Sequence, residues 1–461
     1  MQLPENFLDR PALIAIREAT LGTQFEGRVW LVGGAVRDAL LGRPGGKDLD
    51  LAVEGDAQAL AQLLFERGAS SIYPVIFERF GTAQVIVADE PVELVCTRRE
   101  QYEPHSRKPI VEFGTLEEDA MRRDFTINAL FVSLHSGAIL DPTDRGLADL
   151  SARILRTPLE PRRTFSEDPL RMLRAVRFRA QLGFEFAPDI EPAILAVADR
   201  LKVISQERIR EELLKMLATP SPSESIEALS RLGLLRQFLP ELESCRFVEQ
   251  GPYHHLDVWG HSLLVLDNIA SENIYLRLAG LLHDIGKPQT RFVDNDGRTR
   301  FFTHEVVGAD MVRQILGRMK FSNDEIAYVE LLVRQHMRFG HNTISATAAR
   351  RALRALGPHM EDLLILCQAD ANSHHPDAPH LDVPAIRAKI REVQAATPAE
   401  SLQSPLDGHE ILAIDPSLPG KVIGQIKAFL LEEVLKGRLL PEDRAAAEEL
   451  TRRWLSHHRG Q

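Results

Sequence analysis

The stretch LVGGAVRDALLGRPGGKDLDLAVEG (31–55) constrains this chain more than any other. A short apolar run ends at Gly33-Gly34, and a helix-forming run starts there. Glycines let a backbone approach a phosphate closely, and the following helix N-terminus offers free N–H groups. Arg37 lies one turn into that helix, within reach of the same anion. Asp48 and Asp50 follow as Asp-Leu-Asp. On a strand, residues two apart share a face, so both carboxylates point at one spot. That suits Mg²⁺, a hard ion that takes carboxylate and phosphate oxygens. Two such ions activate an attacking hydroxyl and stabilise a leaving pyrophosphate. An isolated Asp-x-Asp is usually a solvated pair; the Gly-Gly-x-Val-Arg-Asp at this spacing makes it a site.

The surrounding sequence predicts an α+β head, a mixed sheet with helices. SIYPVIFERFGTAQVIVADEPVELVCTRR carries β-rich runs broken by Gly and Asp-Glu-Pro turns, while AVRDALLGR and DAQALAQLLFERG read as helices. From Leu147 onward the apolar spacing is three to four residues, and the rest of the chain reads as all-helical. At 461 residues two to four domains are expected. The divisions fall at 1–145, 146–225, 226–395 and 396–461, with loops at 218–224, 374–384 and 397–405. No run of 18 apolar residues occurs, so no membrane span is expected. The interrupted acidic N-terminus does not read as a secretory signal. Cys96, Cys245 and Cys367 are widely spaced and fit a reducing cytoplasm.

The net charge of −11 is acidic, but a polyanion needs only a local basic face. Arg162, Arg163, Arg171, Arg174, Arg177 and Arg179 stand against Glu167 and Asp168 within 161–180, a balance of 6 − 2 = +4. In SEDPLRMLRAVRFRAQLGF (166–184), Ser166 reads as a helix start with Pro169 in the first turn. Arg171, Arg174 and Arg177 then span about a 120° arc of one face. Leu170, Leu173, Val176 and Leu182 pack on another. An arginine face of this kind is costly unless it meets an anion.

GGAVRD…DLDLAVEG resembles the head motif of bacterial class II tRNA nucleotidyltransferases and of the related bacterial poly(A) polymerases, within the polymerase-beta-like nucleotidyltransferases. The resemblance implies that Asp48 and Asp50 hold Mg²⁺ and that Gly33, Gly34 and Arg37 meet the nucleotide phosphates. Glu93, in VELVCT, is a candidate third carboxylate. EEDAMRRDFTINAL (117–130) resembles the family's second motif and implies that Arg123 and Asp124 handle the incoming nucleotide. DPTDRGLADL (141–150) resembles its head–neck joint. In SEDPLR the resemblance implies that Asp168 and Arg171 meet the base edge as a protein template, with Arg174 and Arg177 lining the nucleotide. RLKVISQERIREELLKMLATPSP (200–222) reads as an amphipathic packing helix. A flexible loop is implied within 96–119, and its presence favours addition of the final A. The tail, DGHEILAIDPSLPGKVIGQIKAFLLEEVLKGRL (407–439), has Gly420 and Gly424 near the start of a helix and is a candidate tRNA contact.

The middle of the chain places His261, His283-Asp284, His304, His336 and Asp370 in helical context. Buried ionisable groups need partners, and a metal supplies one. Histidines with carboxylates suit a divalent transition metal with open positions for water. In this order the residues resemble the HD phosphohydrolase superfamily, which implies a metal-dependent phosphohydrolase-like body, with Lys287 near a substrate phosphate. His254, His255, His341, His374 and His375 are given no role.

Taken over residues 28 to 445, the resemblance implies an enzyme that adds CCA to the 3′ end of tRNA from CTP and ATP, releasing pyrophosphate. Its partners are the tRNA 3′ end and acceptor/T-arm half. A-only, CC-only and poly(A) addition are the alternatives within the family. The alternative of another class is an HD phosphohydrolase whose head only binds RNA or nucleotide.

Overall fold

The computed structural model describes residues 2–44, 49–77, 81–101, 110–251, 256–339, 343–375, 381–398 and 401–458. Asp48, His254, His255 and His341 lie outside the described residues, as does the centre of the loop expected within 96–119. The chain forms two compact units, 1–238 and 239–461.

In the first unit, α1 (Pro11–Thr20) precedes β1 (Val29–Val32), α2 (Gly34–Leu40), β2 (Leu49–Val53) and α3 (Ala57–Glu66). Then come β3 (Val75–Phe77), β4 (Thr82–Val87), β5 (Glu90–Cys96) and a separate hairpin of β6 (Arg98–Gln101) and β7 (Ile110–Phe113). α4 (Leu116–Met121), β8 (Phe131–Ser133) and β9 (Ile139–Leu140) complete the head. Its seven-stranded sheet has the order β3-β4-β5-β2-β1-β8-β9, with β2 antiparallel to β1 and parallel to β5. This is the expected α+β head.

Alternation decides which face carries the chemistry. Ala52 of β2 packs with Val32, Leu116, Ala120, Ala129 and Phe131 in one buried cluster. Asp50, two residues earlier, shares that face. The cluster therefore fixes α4 over the sheet and brings the residues after α4 toward Asp50. Thr115 and Glu118 close a capping box that starts α4 where the hairpin ends.

The neck follows as α5 (Gly146–Ala152), β10 (Ile154–Leu155), α6 (Pro161–Glu167), α7 (Leu170–Leu182), β11 (Glu185–Phe186), α8 (Ile190–Val197), α9 (Gln206–Leu217) and α10 (Pro222–Arg231). The helix start expected at Ser166 is not there: Ser166 lies inside α6. The break falls at Asp168, which is extended (φ −133°, ψ 98°) because the residue before a proline is driven out of the helical region. α7 starts after Pro169 and ends at Gly183 in the left-handed region. The segment 218–224, expected as a loop, enters α10 at Pro222.

The second unit is helical. It runs α11 (Pro240–Glu243), α12 (Val258–Asn268), α13 (Ile274–Leu282), α14 (Lys287–Thr290), a small hairpin β12 (Arg291–Val293) and β13 (Thr299–Phe301), α15 (His304–Arg318) and α16 (Asn323–Gln335). α17 (Ala346–Leu356), α18 (Met360–Asn372) and α19 (Val383–Ala396) follow. The tail holds α20 (Gly408–Ile414), α21 (Gly420–Leu435) and α22 (Arg444–His458). Among the described residues no helix is long and apolar enough to cross a membrane.

Candidate functional sites

Gly33 turns the chain from β1 into α2 with φ 79° and ψ −137°, a conformation that costs an L side chain about 1–3 kcal/mol. A Cβ on Gly33 would stand 3.5 Å from Oδ2 of Asp50 and 4.0 Å from Nη1 of Arg123. The glycine turn, the β2 carboxylate and the Arg123 guanidinium thus meet at one point. Glu93 is the register partner of Asp50 on β5, so the two acids sit side by side on the same face. Arg123 is held by Asp119, which accepts from its Nε at 3.0 Å and its Nη2 at 2.8 Å. Asp119 is buried. Burial works against its charge, but Arg123 and Arg122 outweigh it and lower its pKa. Asp119 is a site residue that the sequence reading passed over inside an ordinary-looking acidic helix.

Arg37 is held by protein partners. It is 4% exposed. Its Nε and Nη2 donate to Asp38, and its Nη1 donates to Oδ1 of Asn128 at 2.8 Å. The guanidinium braces the underside of the turn, 3.6 Å from where a Cβ of Gly34 would be. Asn128 in turn donates to Asp124, which also accepts from Nε of Arg174 at 2.7 Å. Burial pushes the Asp124 carboxyl up, but Arg174 and the Asn128 hydrogen bond win and hold it at about 2.

The arginine face of α7 meets anions, and they belong to the protein. Arg174 pairs with Asp124 and lies near Glu212, and Arg177 donates to Glu212 at 2.7 Å. Burial lowers the pKa of Arg177, while Asp124 raises that of Arg174. Glu212 on α9 is buried, so the helix assigned to packing supplies the counter-charge. Phe178 is the hub: Arg37, Arg174 and Arg177 lie 5.0, 5.3 and 4.2 Å from its ring, and Phe125 packs edge-on. Asp168 and Arg171 are neighbours but form no ion pair. Asp168 accepts from Arg208 of α9 at 3.0 Å, and Arg171 donates to the carbonyls of Arg122 and Thr164. Arg208 was not singled out in the sequence, because a surface arginine on an amphipathic helix carries no local signal.

The expected head–neck joint is tightly packed. A Cβ on Gly146 would lie 2.7 Å from the carbonyl oxygen of Thr126, so this glycine serves close approach. Asp149 accepts from Oγ1 of Thr126 at 2.8 Å and from Arg156, tying the neck to the turn that carries Asn128.

In the second unit, His261, His283, Asp284, His304, His336 and Asp370 lie in one cluster. The His-Asp pair follows the last residue of α13 and is not within the helix. His304 opens α15 and His336 starts a 3-10 turn after α16. Oδ1 of Asp284 lies 3.3 Å from Nε2 of His304 and 3.7 Å from that of His336. Oδ2 lies 3.2 Å from Nε2 of His283 and 3.7 Å from that of His261. Asp370 is 3.0 Å from His261. Nδ1 of His283, His304 and His336 each lies 2.6–2.8 Å from a backbone carbonyl, of Gly280, Phe301 and Val333. A carbonyl only accepts, so Nδ1 carries the proton and Nε2 turns its lone pair to the centre. Nε2 of His283 is buried without a well-formed hydrogen bond. This donor set fits a divalent metal ion. Burial opposes charge on Asp284, but His283 and Lys287 hold its carboxyl well below the usual range. Burial lowers His336, whereas Asp284 and Asp370 raise His283 against the same burial. Lys287 also donates to Gln250.

A carboxylate strand facing a glycine turn, joined to a helical neck and a histidine–aspartate cage, defines a nucleotidyltransferase head coupled to an HD body. Family models agree: the poly A polymerase head domain matches 29–156, the probable RNA and SrmB-binding site of polymerase A matches 183–246, and the HD domain matches 253–377. The A-adding tRNA nucleotidyltransferase of Deinococcus radiodurans is 34% identical over 438 residues, covering 92% of this chain and 95% of that one. The CC-adding tRNA nucleotidyltransferase of Thermus thermophilus is 32% identical over 437 residues, 90% and 92%. The crystal structure of the Bacillus stearothermophilus CCA-adding enzyme in complex with CTP superposes with a TM-score of 0.72 over 98% of this chain and 99% of that one, at 24% identity. The chain belongs to the tRNA nucleotidyltransferase family and is an enzyme of the nucleotidyltransferase class.

Proposed function

We propose that this enzyme completes the 3′ end of tRNA, adding CCA from CTP and ATP and releasing pyrophosphate. The observation that carries the reading is the convergence of Gly33, Asp50 and Arg123, with Glu93 beside Asp50. Asp48 and Asp50 hold Mg²⁺. Gly33, Gly34 and Arg123 meet the triphosphate, where positioned positive charge and backbone N–H groups stabilise the charge that develops on transfer. Asp124, Arg174, Arg37 and Arg177 act as a positioning frame. Asp168 and Arg171 read the base edge, a carboxylate and a guanidinium presenting acceptor and donors together, and Arg208 sets the orientation of Asp168. Residues 1–145 are the catalytic head, 146–225 the neck, 226–395 the HD body and 396–461 a helical tail that contacts tRNA, recognised by shape and backbone.

The test is incorporation on purified full-length protein with Mg²⁺, CTP and ATP, separately and together. The substrates are tRNA ending at the discriminator base, at C or at CC, with oligo(A) as control. Three nucleotides added to the first tRNA, stopping there, is the expected result. Growth only on the CC-ending tRNA would make it A-adding. A stop after two C residues would make it CC-adding, and long tails on oligo(A) would make it a poly(A) polymerase.

The complete cage favours a second activity, metal-dependent phosphohydrolysis. His261, His283, Asp284, His304, His336 and Asp370 hold a divalent transition metal. When bound, the ion supplies Lewis acidity and a water of lowered pKa. Lys287, fixed by Asp284 and Gln250, neutralises phosphate charge beside the cage. His283→Ala is expected to abolish phosphohydrolysis and leave nucleotide incorporation intact. Loss of both, or of incorporation alone, would overturn the separation of the two sites.

A further inference from the structure

Arg43 stands just past the end of α2, and its side chain reaches another helix. α2 stops in a closed turn. Gly42 has φ 66°, its N–H donates to the carbonyl of Ala39 at 3.0 Å, and the N–H of Arg43 donates to that of Asp38 at 2.9 Å. This pair of bonds ends a helix at a left-handed glycine, so the backbone of Arg43 is fixed to α2. The guanidinium crosses to the end of α7, where Nη1 donates to the carbonyl of Gln181 at 3.2 Å and Nη2 to that of Leu182 at 3.0 Å. The last carbonyls of a helix have no partner within it, and a cation there meets the negative end of its dipole. A second tie joins the same two helices, since the Arg37 guanidinium lies 5.0 Å from the Phe178 ring. One tie would let α2 swing about Arg37, and two ties fix its direction. The Gly33 turn, which faces Asp50, is the other end of α2, so a swing at Arg43 moves it the opposite way. Arg177 also donates to Oε1 of Gln181 at 3.1 Å, which links the clasped end of α7 to the nucleotide frame.

We propose that Arg43 is a positioning residue for nucleotide incorporation: by clasping the end of α7 it holds the Gly33 turn in register with Asp50 and with the frame of Arg174 and Arg177. This role rests on the nucleotidyltransferase function proposed above. Arg43 acts through α2 and touches no reacting group. Its side chain is exposed, so water competes for its hydrogen bonds and the fold gains little from them. Its loss is therefore read in rate rather than in melting temperature, because a displacement of about 1 Å at a reacting centre costs up to about 100-fold. Base choice is held separately. Asp168 and Arg171 lie at the opposite end of α7, a helix of 13 residues and so about 20 Å long. There Arg208 and the carbonyls of Arg122 and Thr164 fix them.

The experiment is single-turnover incorporation by purified full-length protein, titrated in nucleotide and in tRNA, with every nucleotide the parent adds. Parent, Arg43→Ala and Arg43→Lys are compared, with Asp50→Asn as the control for the head. Arg43→Ala is expected to lower the maximal rate about 10- to 100-fold for each nucleotide alike. KM for nucleotide and tRNA, the ratio of C to A and the melting temperature stay at parental values. Arg43→Lys is expected to regain most of the rate, since an ammonium also donates to carbonyls at a helix end. An unchanged maximal rate in Arg43→Ala would overturn the proposal. A raised KM at parental maximal rate would overturn it too, by making Arg43 a substrate contact. So would a loss of rate that follows a lowered melting temperature and is not restored by lysine, since that is a role in stability alone. Incorporation retained by Asp50→Asn would instead overturn the reading of the head itself. Should Arg43→Ala not fold, Arg43→Met, which keeps the stem and removes the donors, takes its place under the same outcomes.

Discussion

The substitution Asp124→Asn keeps the shape of a side chain and removes its charge at the centre of the head–neck frame. Asp124 is 8% exposed. It accepts from the amide of Phe125 at 2.9 Å, from Asn128 at 3.0 Å and from Arg174 at 2.7 Å. A carboxyl held at about 2 rather than its ordinary 3.8 favours the ionised form by about 2.5 kcal/mol. Asparagine retains one acceptor oxygen and turns an NH₂ toward one of these donors, leaving that donor unmet. Breaking a fully buried pair costs about 3–5 kcal/mol. Arg174 is a third exposed, so water recovers part, and the expected loss is about 2–3 kcal/mol. Trp30 is the sole tryptophan of the first unit, so urea unfolding followed by its fluorescence, in a Trp259→Phe/Trp454→Phe background, isolates the effect. The folded carboxyl titrates below the unfolded one. Its stabilisation is therefore full above the ordinary carboxylate range and is lost as the pH falls through about 2. The gap between parent and variant should stay level from about pH 5 to 8 and shrink below about pH 4. A loss under about 1 kcal/mol, or a gap that does not close on acidification, would refute the assignment of Asp124 as an ionised anchor.

Asp50→Asn should remove incorporation of both nucleotides while leaving the melting temperature within a few degrees; retained incorporation would place the reacting centre elsewhere. Gly33→Ala should cost about 1–3 kcal/mol from its strained backbone and lower kcat for incorporation by shifting the turn that faces Asp50, read by calorimetry and single-turnover kinetics. Arg208→Ala should change stability by less than about 1 kcal/mol, since the ion pair is half exposed. It should change the ratio of C to A incorporation on CC-ending tRNA, and an unchanged ratio would assign Arg208 to the surface alone.

Much of the site was legible because it is written locally. Gly33-Gly34 before a helix and Asp50 on an alternating strand need only backbone stereochemistry and period-two spacing to be read. The His-Asp pair and its companions declare a cage by residue type. What local pattern does not hold is pairing. Asp119 looks like any acidic residue of a helix start, Glu212 like any acid of an amphipathic helix, and Phe178 like one more apolar residue. Asp119 pairs within its own motif, with Arg122 and Arg123, whereas the roles of Glu212 and Phe178 exist only because α7 is folded against α9 and against Phe125. The same limit explains the bond from Arg37 to Asn128, 91 residues away, while the α6–α7 break is set locally by the proline at 169.

By itself the sequence determined the order of an α+β head, a helical neck and an HD body, because hydrophobic period, glycine and proline act within a few residues. It also determined which residue types carry chemistry. The tertiary structure alone decided which arginines stay bound to protein carboxylates, which carboxylate neighbours Asp50, and that Arg43 reaches the end of α7. A charge finds its partner across tens to hundreds of residues of chain, and only the closing of the sheet and the packing of the helices sets that distance.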